Sequence, residues 1–327
     1  MDLIDNIHNA LAQDIGEMNQ IIFAHLTAKE DLIELVSRHL IEGKGKRIRP
    51  ILTLLTSKMF GYSGKDHIKL ACAVEFIHTA TLLHDDVIDD SKLRRFKPTA
   101  NVIWGKKASI LVGDFLFSQS FKLMVSTSSL SALDSLSRAS AIIAEGEVAQ
   151  LTKLNQKRII SLIEYEQIIL AKTAELFGAA CEVGAIIAGQ DLITCKRLRK
   201  FGVKLGKIFQ IIDDLLDYNG KDNDIGKNIG DDFLEGKVTM PLILLSKKLA
   251  QFDREKIENM ISSEIRSISD LEWVTTQMNN HGIMHQVIEY ASLLEEQTIG
   301  LLSAELPENE FKQYLIALTS FVTRRSY

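Results

Sequence analysis

Leu82-Leu83-His84-Asp85-Asp86-Val87-Ile88-Asp89 closes one apolar stretch of the chain, and Phe209-Gln210-Ile211-Ile212-Asp213-Asp214-Leu215-Leu216-Asp217 closes another. The residues leading into them, Ala71 to Leu83 and Phe201 to Ile212, are largely apolar around the whole helical circumference, the mark of a buried helix. Both segments therefore read as buried helices that end in aspartates. Residues i and i+4 share a helix face, so each Asp-Asp-x-x-Asp stacks two carboxylates with a third close by. Charges at the end of a buried helix are costly unless paired or metal-bound. A single such cluster reads most simply as a solvated face, but two in matching settings do not. Magnesium takes oxygen ligands and uses one or two protein carboxylates with water and substrate phosphates. Two such edges suit several ions around a diphosphate.

The rest of the chain supports a helical frame for these ends. There are four prolines in 327 residues, apolar residues recur at three- and four-residue spacing, and alternating strand patterns are scarce. The fold class predicted is all-α, with helices over 3–26, 29–42, 48–60, 66–90, 107–125, 130–151, 161–188, 192–218, 241–249, 253–263, 269–280, 283–304 and 308–323. No linker, compositional change or repeat divides it, and 46% hydrophobic residues supply a sizeable core, so residues 1–327 read as a single domain. A formal net charge of −5 gives no general attraction to nucleic acid. The longest apolar runs, such as Ala179 to Gly189, are interrupted by Glu182 and are too short to span a bilayer. The start, Met1-Asp2-Leu3-Ile4-Asp5, is acidic where a secretion signal is basic. Cys72, Cys181 and Cys195 are scattered and odd in number, as in a reducing compartment. A soluble cytoplasmic protein is expected.

Carboxylates hold a diphosphate only through metal, and a second anionic substrate needs cationic groups. Lys46-Arg47-Ile48-Arg49-Pro50 places three positive charges around a helix start, where backbone N–H groups also favour anions, although spacing alone fits a solvated basic turn. Arg94-Arg95 follows the first acidic end, and His78 stands two helical turns before it. Lys172-Thr173 interrupts an apolar helix from Ile159 to Gly189, which makes a buried lysine in need of an anionic partner. After the second acidic end, Asn219 to Gly236 reads as a long polar loop containing Gly226-Lys227-Asn228-Ile229-Gly230-Asp231-Asp232 and followed by Lys237. Loops of that length inside a domain are commonly functional, and this one reads as a lid.

The segments Gly45-Lys46-Arg47-Ile48-Arg49-Pro50, Ile77-His78-Thr79-Ala80-Thr81-Leu82-Leu83-His84-Asp85-Asp86-Val87-Ile88-Asp89, Leu93-Arg94-Arg95, Gly113-Asp114, Glu145-Gly146-Glu147, Lys172-Thr173, Gln210 to Asp217, Gly226-Lys227 and Gly230-Asp231-Asp232 run in order across residues 40–245. Together they resemble the trans-isoprenyl diphosphate synthases, and most of all long-chain members of the octaprenyl diphosphate synthase type. The resemblance implies an all-helical isoprenoid synthase fold around a deep central tunnel, working as a homodimer with roughly two to three Mg2+ ions per active site. It implies isopentenyl diphosphate and an allylic diphosphate, farnesyl diphosphate, as substrates, and a polyprenyl product for a quinone side chain that leaves by transient membrane contact. Asp85, Asp86, Asp89, Asp213, Asp214 and Asp217 match the metal-holding positions. Arg94, Lys172, Thr173, Gln210 and Lys227 match contacts to the allylic diphosphate, with Arg94 and Lys172 in catalytic positions. Lys46, Arg49, His78 and Arg95 match the metal-free isopentenyl site.

Two positions depart from the pattern. Phe96 stands where relatives have glycine, and Lys44 interrupts their glycine run, yet neither removes a charged catalytic group. Product length turns on the helical turn before the first acidic end, where short-chain relatives carry an aromatic stopper and this chain has Ala80 and Thr81. Phe117, Phe121 and Met124 then become candidates for deeper walls or floor. Three competing readings remain. A short-chain synthase conflicts with the small pair, a noncatalytic partner subunit with two intact acidic motifs, and a terpene cyclase with Asp213-Asp214-Leu215-Leu216-Asp217 in place of an Asn/Ser/Glu motif.

Overall fold

The computed structural model describes residues 3–27, 29–41, 46–94, 97–154, 156–219, 230–302 and 305–324. Two compact units are resolved within it. Met1–Ser140, Leu176–Gly202 and Leu301–Leu318 form the first, and Ala141–Glu175, Val203–Gly300 and Thr319–Tyr327 the second.

The first unit is built on the helix that ends in Asp85, Asp86 and Asp89. Its N-terminal helices are α1 (Leu3–Ala10), α2 (Ala12–Leu26), α3 (Asp31–Ile41), α4 (Ile48–Met59), α5 (Asp66–Ile88), α6 (Ala100–Ile103) and α7 (Lys106–Val125), and it also holds the start of α8 (Leu130–Leu154) and the later stretches Leu176–Gly202 and Leu301–Leu318. As its apolar circumference requires, α5 is buried from Ala71 to Ile77 and packs against α2, α4 and α7. Polar atoms brought inside are satisfied locally. Thr53 Oγ1 donates to the Ala180 carbonyl at 2.9 Å, and Thr56 Oγ1 to the Leu52 carbonyl at 2.7 Å. By length and composition α7 could cross a membrane, yet Val112, Leu116, Leu123 and Met124 are buried within the unit.

Departures from the expected helices are small. The expected 3–26 helix divides at Leu11, where φ is −105°, although hydrogen bonds from Leu11 N to Ile7 O and from Ile15 N to Leu11 O continue across it. Beyond α5 the chain forms a two-residue antiparallel ladder, β1 (Leu93–Arg94) with β2 (Lys97–Pro98). No strand was expected there, because four residues carry no alternation to read.

The second unit contains the end of α8, α9 (Leu162–Ile169), the latter part of α11 (Leu192–Asn219, which follows α10, Glu175–Ile187) and a C-terminal helical set. That set comprises α12 (Asp231–Leu234), α13 (Met240–Lys248), α14 (Gln251–Ser262), α15 (Ile268–Asn280), α16 (Ile283–Ile299) and the end of α17 (Glu310–Arg324). Reciprocal capping boxes start α9, through Ser161 and Glu164, and α15, through Ser267 and Asp270. Each cap is worth about 1 kcal/mol. Pro241 in the first turn of α13 removes a donor that had no helical partner. The expected 161–188 helix contains a wide π-type turn at Leu170–Ala174 between α9 and α10. Of the expected Asn219 to Gly236 loop, residues 220–229 lie outside the described residues, and Asp231–Leu234 is helical rather than loop.

Candidate active site

In the first unit the three aspartates at the end of α5 have different surroundings. Asp85 and Asp89 are half-buried, whereas Asp86 is wholly buried and clasped by Arg94, whose Nε and Nη2 donate to Asp86 Oδ1 at 3.0 and 2.8 Å. That pairing answers the cost of burying a carboxylate. The following chain is fastened back onto the helix end, because Asn101 Nδ2 donates to the carbonyls of Asp86 and Ser91 at 3.1 and 3.2 Å. One residue earlier, His84 Nε2 lies 3.4 Å from Asp114 Oδ1 and 3.3 Å from the Ile110 carbonyl. A Cβ on Gly113 would meet the His84 imidazole, so the glycine leaves this ring its present place against α7.

The basic run divides by role. Arg47, in the left-handed region at φ 46°, donates to Asn19 Oδ1 and, at 3.1 Å, to the Ile41 carbonyl, and it sits 3.8 Å from Glu75 Oε1. These contacts hold a conformation that costs a non-glycine residue about 1 kcal/mol. Arg49 instead donates through Nη1 to His78 Nε2 at 3.0 Å and stacks 4.7 Å over the Phe177 ring. A guanidinium only donates, so the imidazole accepts at Nε2. Lys46 is exposed at the start of α4. Arg95 and Lys227 lie outside the described residues, as do Lys44, Phe96 and Gly226.

Of the expected chain-length residues, Ala80 and Met124 are buried, and Thr81 is half-buried with its hydroxyl donated to the His78 carbonyl at 2.8 Å. Phe117 and Phe121 meet edge to face at 5.3 Å. Phe121, expected to be deep, is 39% exposed on the first unit. Its position on α7 is turned away from the row formed by buried Leu116, Ser120 and Met124.

In the second unit the middle aspartate is again buried, here together with the last. Asp214 Oδ2 accepts from the Tyr165 hydroxyl at 2.6 Å and Oδ1 from Gln210 Nε2 at 2.8 Å, while Thr173 Oγ1 donates to Gln210 Oε1 at 2.8 Å. Burial pushes the Asp214 carboxyl up to about 7, and the Asp232 charge adds to the rise against the pull of the Tyr165 and Gln210 hydrogen bonds. Burial, then the Asp214 charge, holds the Tyr165 phenol well above its usual range. Asp213 is half-buried. Asp217 is buried and anchors the chain at α12, its carbonyl accepting from Gly230 N at 2.7 Å and its Oδ2 from Asp232 N at 3.3 Å.

The anionic partner that Lys172 requires is Glu147, at 3.1 Å. A Cβ on Gly146 would stand 2.5 Å from the Ala171 methyl, so the glycine of Glu145-Gly146-Glu147 lets α8 approach the π-type turn and sets Glu147 beside the lysine. Such turns insert a residue into a helix and often occur at functional sites. Sequence reasoning passed over Tyr165 and Glu166. Glu166 accepts from Lys207 Nζ at 3.0 Å and from the Tyr290 hydroxyl at 2.7 Å. The readable signal was Tyr165 itself, two turns before Lys172 in an apolar helix, since a buried phenol needs a hydrogen-bond partner.

Among the described residues, no three His, Cys, Asp or Glu side chains converge on one ion position. Oxygen donors arranged in ones and twos suit a hard cation whose remaining ligands come from water and phosphate.

Known proteins match this arrangement over nearly its full length. A family model described as polyprenyl synthetase matches residues 30–278. The octaprenyl diphosphate synthase of Escherichia coli (strain K12) is 39% identical over 326 residues, 98% of this chain and 99% of that one. An all-trans-nonaprenyl-diphosphate synthase (geranyl-diphosphate specific) from Rhodobacter capsulatus is 40% identical over 326 residues, 99% of each chain. Among solved structures, a polyprenyl synthase from Caulobacter crescentus CB15, complexed with calcium and isoprenyl diphosphate, superposes with a TM-score of 0.93 at 41% identity, covering 99% of this chain and 98% of that one.

Proposed function

Because the chain belongs to the polyprenyl synthetase family, a prenyltransferase family of all-α isoprenoid synthase fold, we propose that it makes an octaprenyl-class product. The coarser activity, long-chain trans-prenyl diphosphate synthesis, follows from its relatives. The finer reading adds isopentenyl diphosphate units to farnesyl diphosphate, and the product supplies a quinone side chain. Residues 1–327 act as one polyprenyl synthase domain, in keeping with a family match that spans parts of both units. The enzyme is assigned as a cytoplasmic homodimer, and the exposed apolar Leu111 and Val125 on α7 support an interface between copies. Product release by transient membrane contact fits the same chemistry of a water-insoluble tail.

One observation carries the site assignment. In each acidic motif the middle aspartate is buried with its carboxylate oxygens taken by protein donors, while the first aspartate, Asp85 or Asp213, is only half-buried and better placed to serve a ligand. Asp85 and Asp89 in the first motif, with Asp213 and Asp217 in the second, are assigned to Mg2+. Asp86 and Asp214, expected among the metal ligands, are assigned instead to setting the position of those carboxylates, because Arg94 occupies the first and Tyr165 with Gln210 the second. Bound magnesium supplies Lewis-acid stabilisation of the charge that develops on the leaving diphosphate. Lys172, Thr173 and Gln210, with Lys227, orient the allylic diphosphate, and Arg94 does so from its place beside Asp86. Lys46, Arg49, His78 and Arg95 hold isopentenyl diphosphate. The allylic C–O bond ionises, the isopentenyl double bond attacks the resulting allylic cation, and the proton then lost passes to the departing diphosphate.

The test is incubation of purified protein with farnesyl diphosphate, labelled isopentenyl diphosphate and magnesium, followed by sizing of the dephosphorylated product. An octaprenyl-class product is expected, and absence of elongation by folded protein overturns the reading. Ala80→Tyr places an aromatic ring in the turn that short-chain relatives block, so its product is expected to be shorter. An unchanged length shows that the chain grows along another path.

A further inference from the structure

Tyr165 lies on α9, outside the segments that carry the resemblance, yet its hydroxyl reaches the most buried carboxylate of the second acidic motif. Tyr165 is 3% exposed and Asp214 likewise 3%, so no solvent competes for this bond. The polarity of the chain it terminates is fixed by chemistry. Thr173 Oγ1 donates to Gln210 Oε1, Gln210 Nε2 donates to Asp214 Oδ1, and Tyr165 donates to Asp214 Oδ2. When Asp214 is ionised it only accepts, so the Gln210 amide nitrogen then faces Asp214 and its oxygen faces Thr173. The next residue, Glu166, braces the same turn of α9 against α11 through Lys207 and against α16 through Tyr290.

We infer that Tyr165 is a positioning residue for the second acidic motif. By holding Asp214 from behind, it fixes both the Asp213–Asp217 edge and the Thr173–Gln210 pair that faces the allylic diphosphate. Arg94 performs the matching task for Asp86 in the first unit, but with a cation. A phenol holds the carboxyl without adding a positive charge beside the motif. The inference rests on the assignment of Asp213 and Asp217 to metal.

The test compares the unaltered protein with Tyr165→Phe, which keeps the ring and removes only the hydroxyl. Calorimetric titration with inorganic pyrophosphate in the presence of magnesium is expected to show about tenfold weaker binding in the variant, the size of one lost hydrogen bond to a charged group. The KM for farnesyl diphosphate is expected to rise by a similar factor, with the KM for isopentenyl diphosphate and the helical circular dichroism unchanged. In an Asp214→Asn background the same substitution is expected to change pyrophosphate binding less than about twofold, because the bond it removes acts through that carboxylate. A variant with a lower melting temperature but unaltered pyrophosphate affinity and farnesyl KM overturns the inference and leaves Tyr165 a packing residue. If Tyr165→Phe does not fold, 3-fluorotyrosine at position 165 serves instead. Its 19F resonance is expected to move on addition of magnesium and pyrophosphate, and an unmoved resonance overturns the inference. If the unaltered protein fails to bind magnesium pyrophosphate, the metal assignment itself falls, a result distinct from equal binding by both proteins.

Discussion

The two acidic helix ends are written almost identically, yet the protein holds them by different chemistry. Asp86 is gripped by the Arg94 guanidinium, while Asp214 is gripped by a phenol and an amide, Tyr165 and Gln210. Both middle aspartates are buried, and both have their oxygens occupied. The first environment compensates a full negative charge. The second supplies only neutral donors and pushes the carboxyl up to about 7 by burial. Identical residue patterns therefore do not imply identical electrostatics, because the elements packed behind the motif decide how its charge is met.

The largest effects are expected where the two ends are alike. Asp85→Asn and Asp213→Asn each remove a carboxylate assigned to metal, and each is expected to lower the elongation rate by about a hundredfold or more. Helicity and melting temperature are expected to hold, since charges gathered at a functional edge seldom stabilise a fold. Equal loss of activity and helicity in either variant would show that its aspartate belongs to the scaffold and would break the likeness.

Smaller effects are expected where the ends differ. Arg94→Met leaves the Asp86 carboxylate buried without its cation and is expected to cost about 3 kcal/mol of stability. Tyr165→Phe leaves Asp214 with the Gln210 bond and is expected to cost about 1 kcal/mol. Urea unfolding of the two variants beside the parent measures the gap. Equal costs would mean that cation and phenol are interchangeable behind these motifs.

Much of this was readable in the residues, and the unread part has a common cause. The apolar circumference of Ala71 to Leu83 announced a buried helix, and α5 is one. Lys172 in an apolar helix announced an anionic partner, and Glu147 is there. What could not be read was which element would stand behind each acidic end. Tyr165 precedes Asp214 by 49 residues, so their meeting depends on how α9 packs on α11 rather than on any local spacing. The exposure of Phe121 was unreadable for the same reason, since three- and four-residue spacing places it on a helix without saying which face the unit leaves uncovered. The π-type turn at Leu170–Ala174 has no residue signature either, and α8 approaches it closely at Gly146.

The smallest effect is a difference in how stability responds to pH, and it sets Asp214 against an ordinary buried carboxylate of the first unit. Asp14 is also buried, which raises its carboxyl, but hydrogen bonds and charge from His67 and Lys58 outweigh that and leave it below its usual value. Its contribution to stability is therefore present above about pH 3.8 and lost as the pH falls through the lowered folded value. Asp214 runs the other way. Its folded value of about 7 lies above the ordinary 3.8, so the folded state binds the proton more tightly and gains stability at low pH. That contribution is complete below about pH 3.8 and disappears as the pH rises through about 7. Unfolding free energies measured by urea from pH 3 to pH 8 in a metal chelator, for the parent, Asp14→Asn and Asp214→Asn, test both signs. The parent's advantage over Asp14→Asn is expected to shrink toward the acid end, and its standing relative to Asp214→Asn is expected to fall between pH 4 and pH 8. If both differences fall toward acid, Asp214 is an ionised carboxylate like Asp14, and the neutral phenol and amide behind it hold the second motif no differently from the cation behind the first.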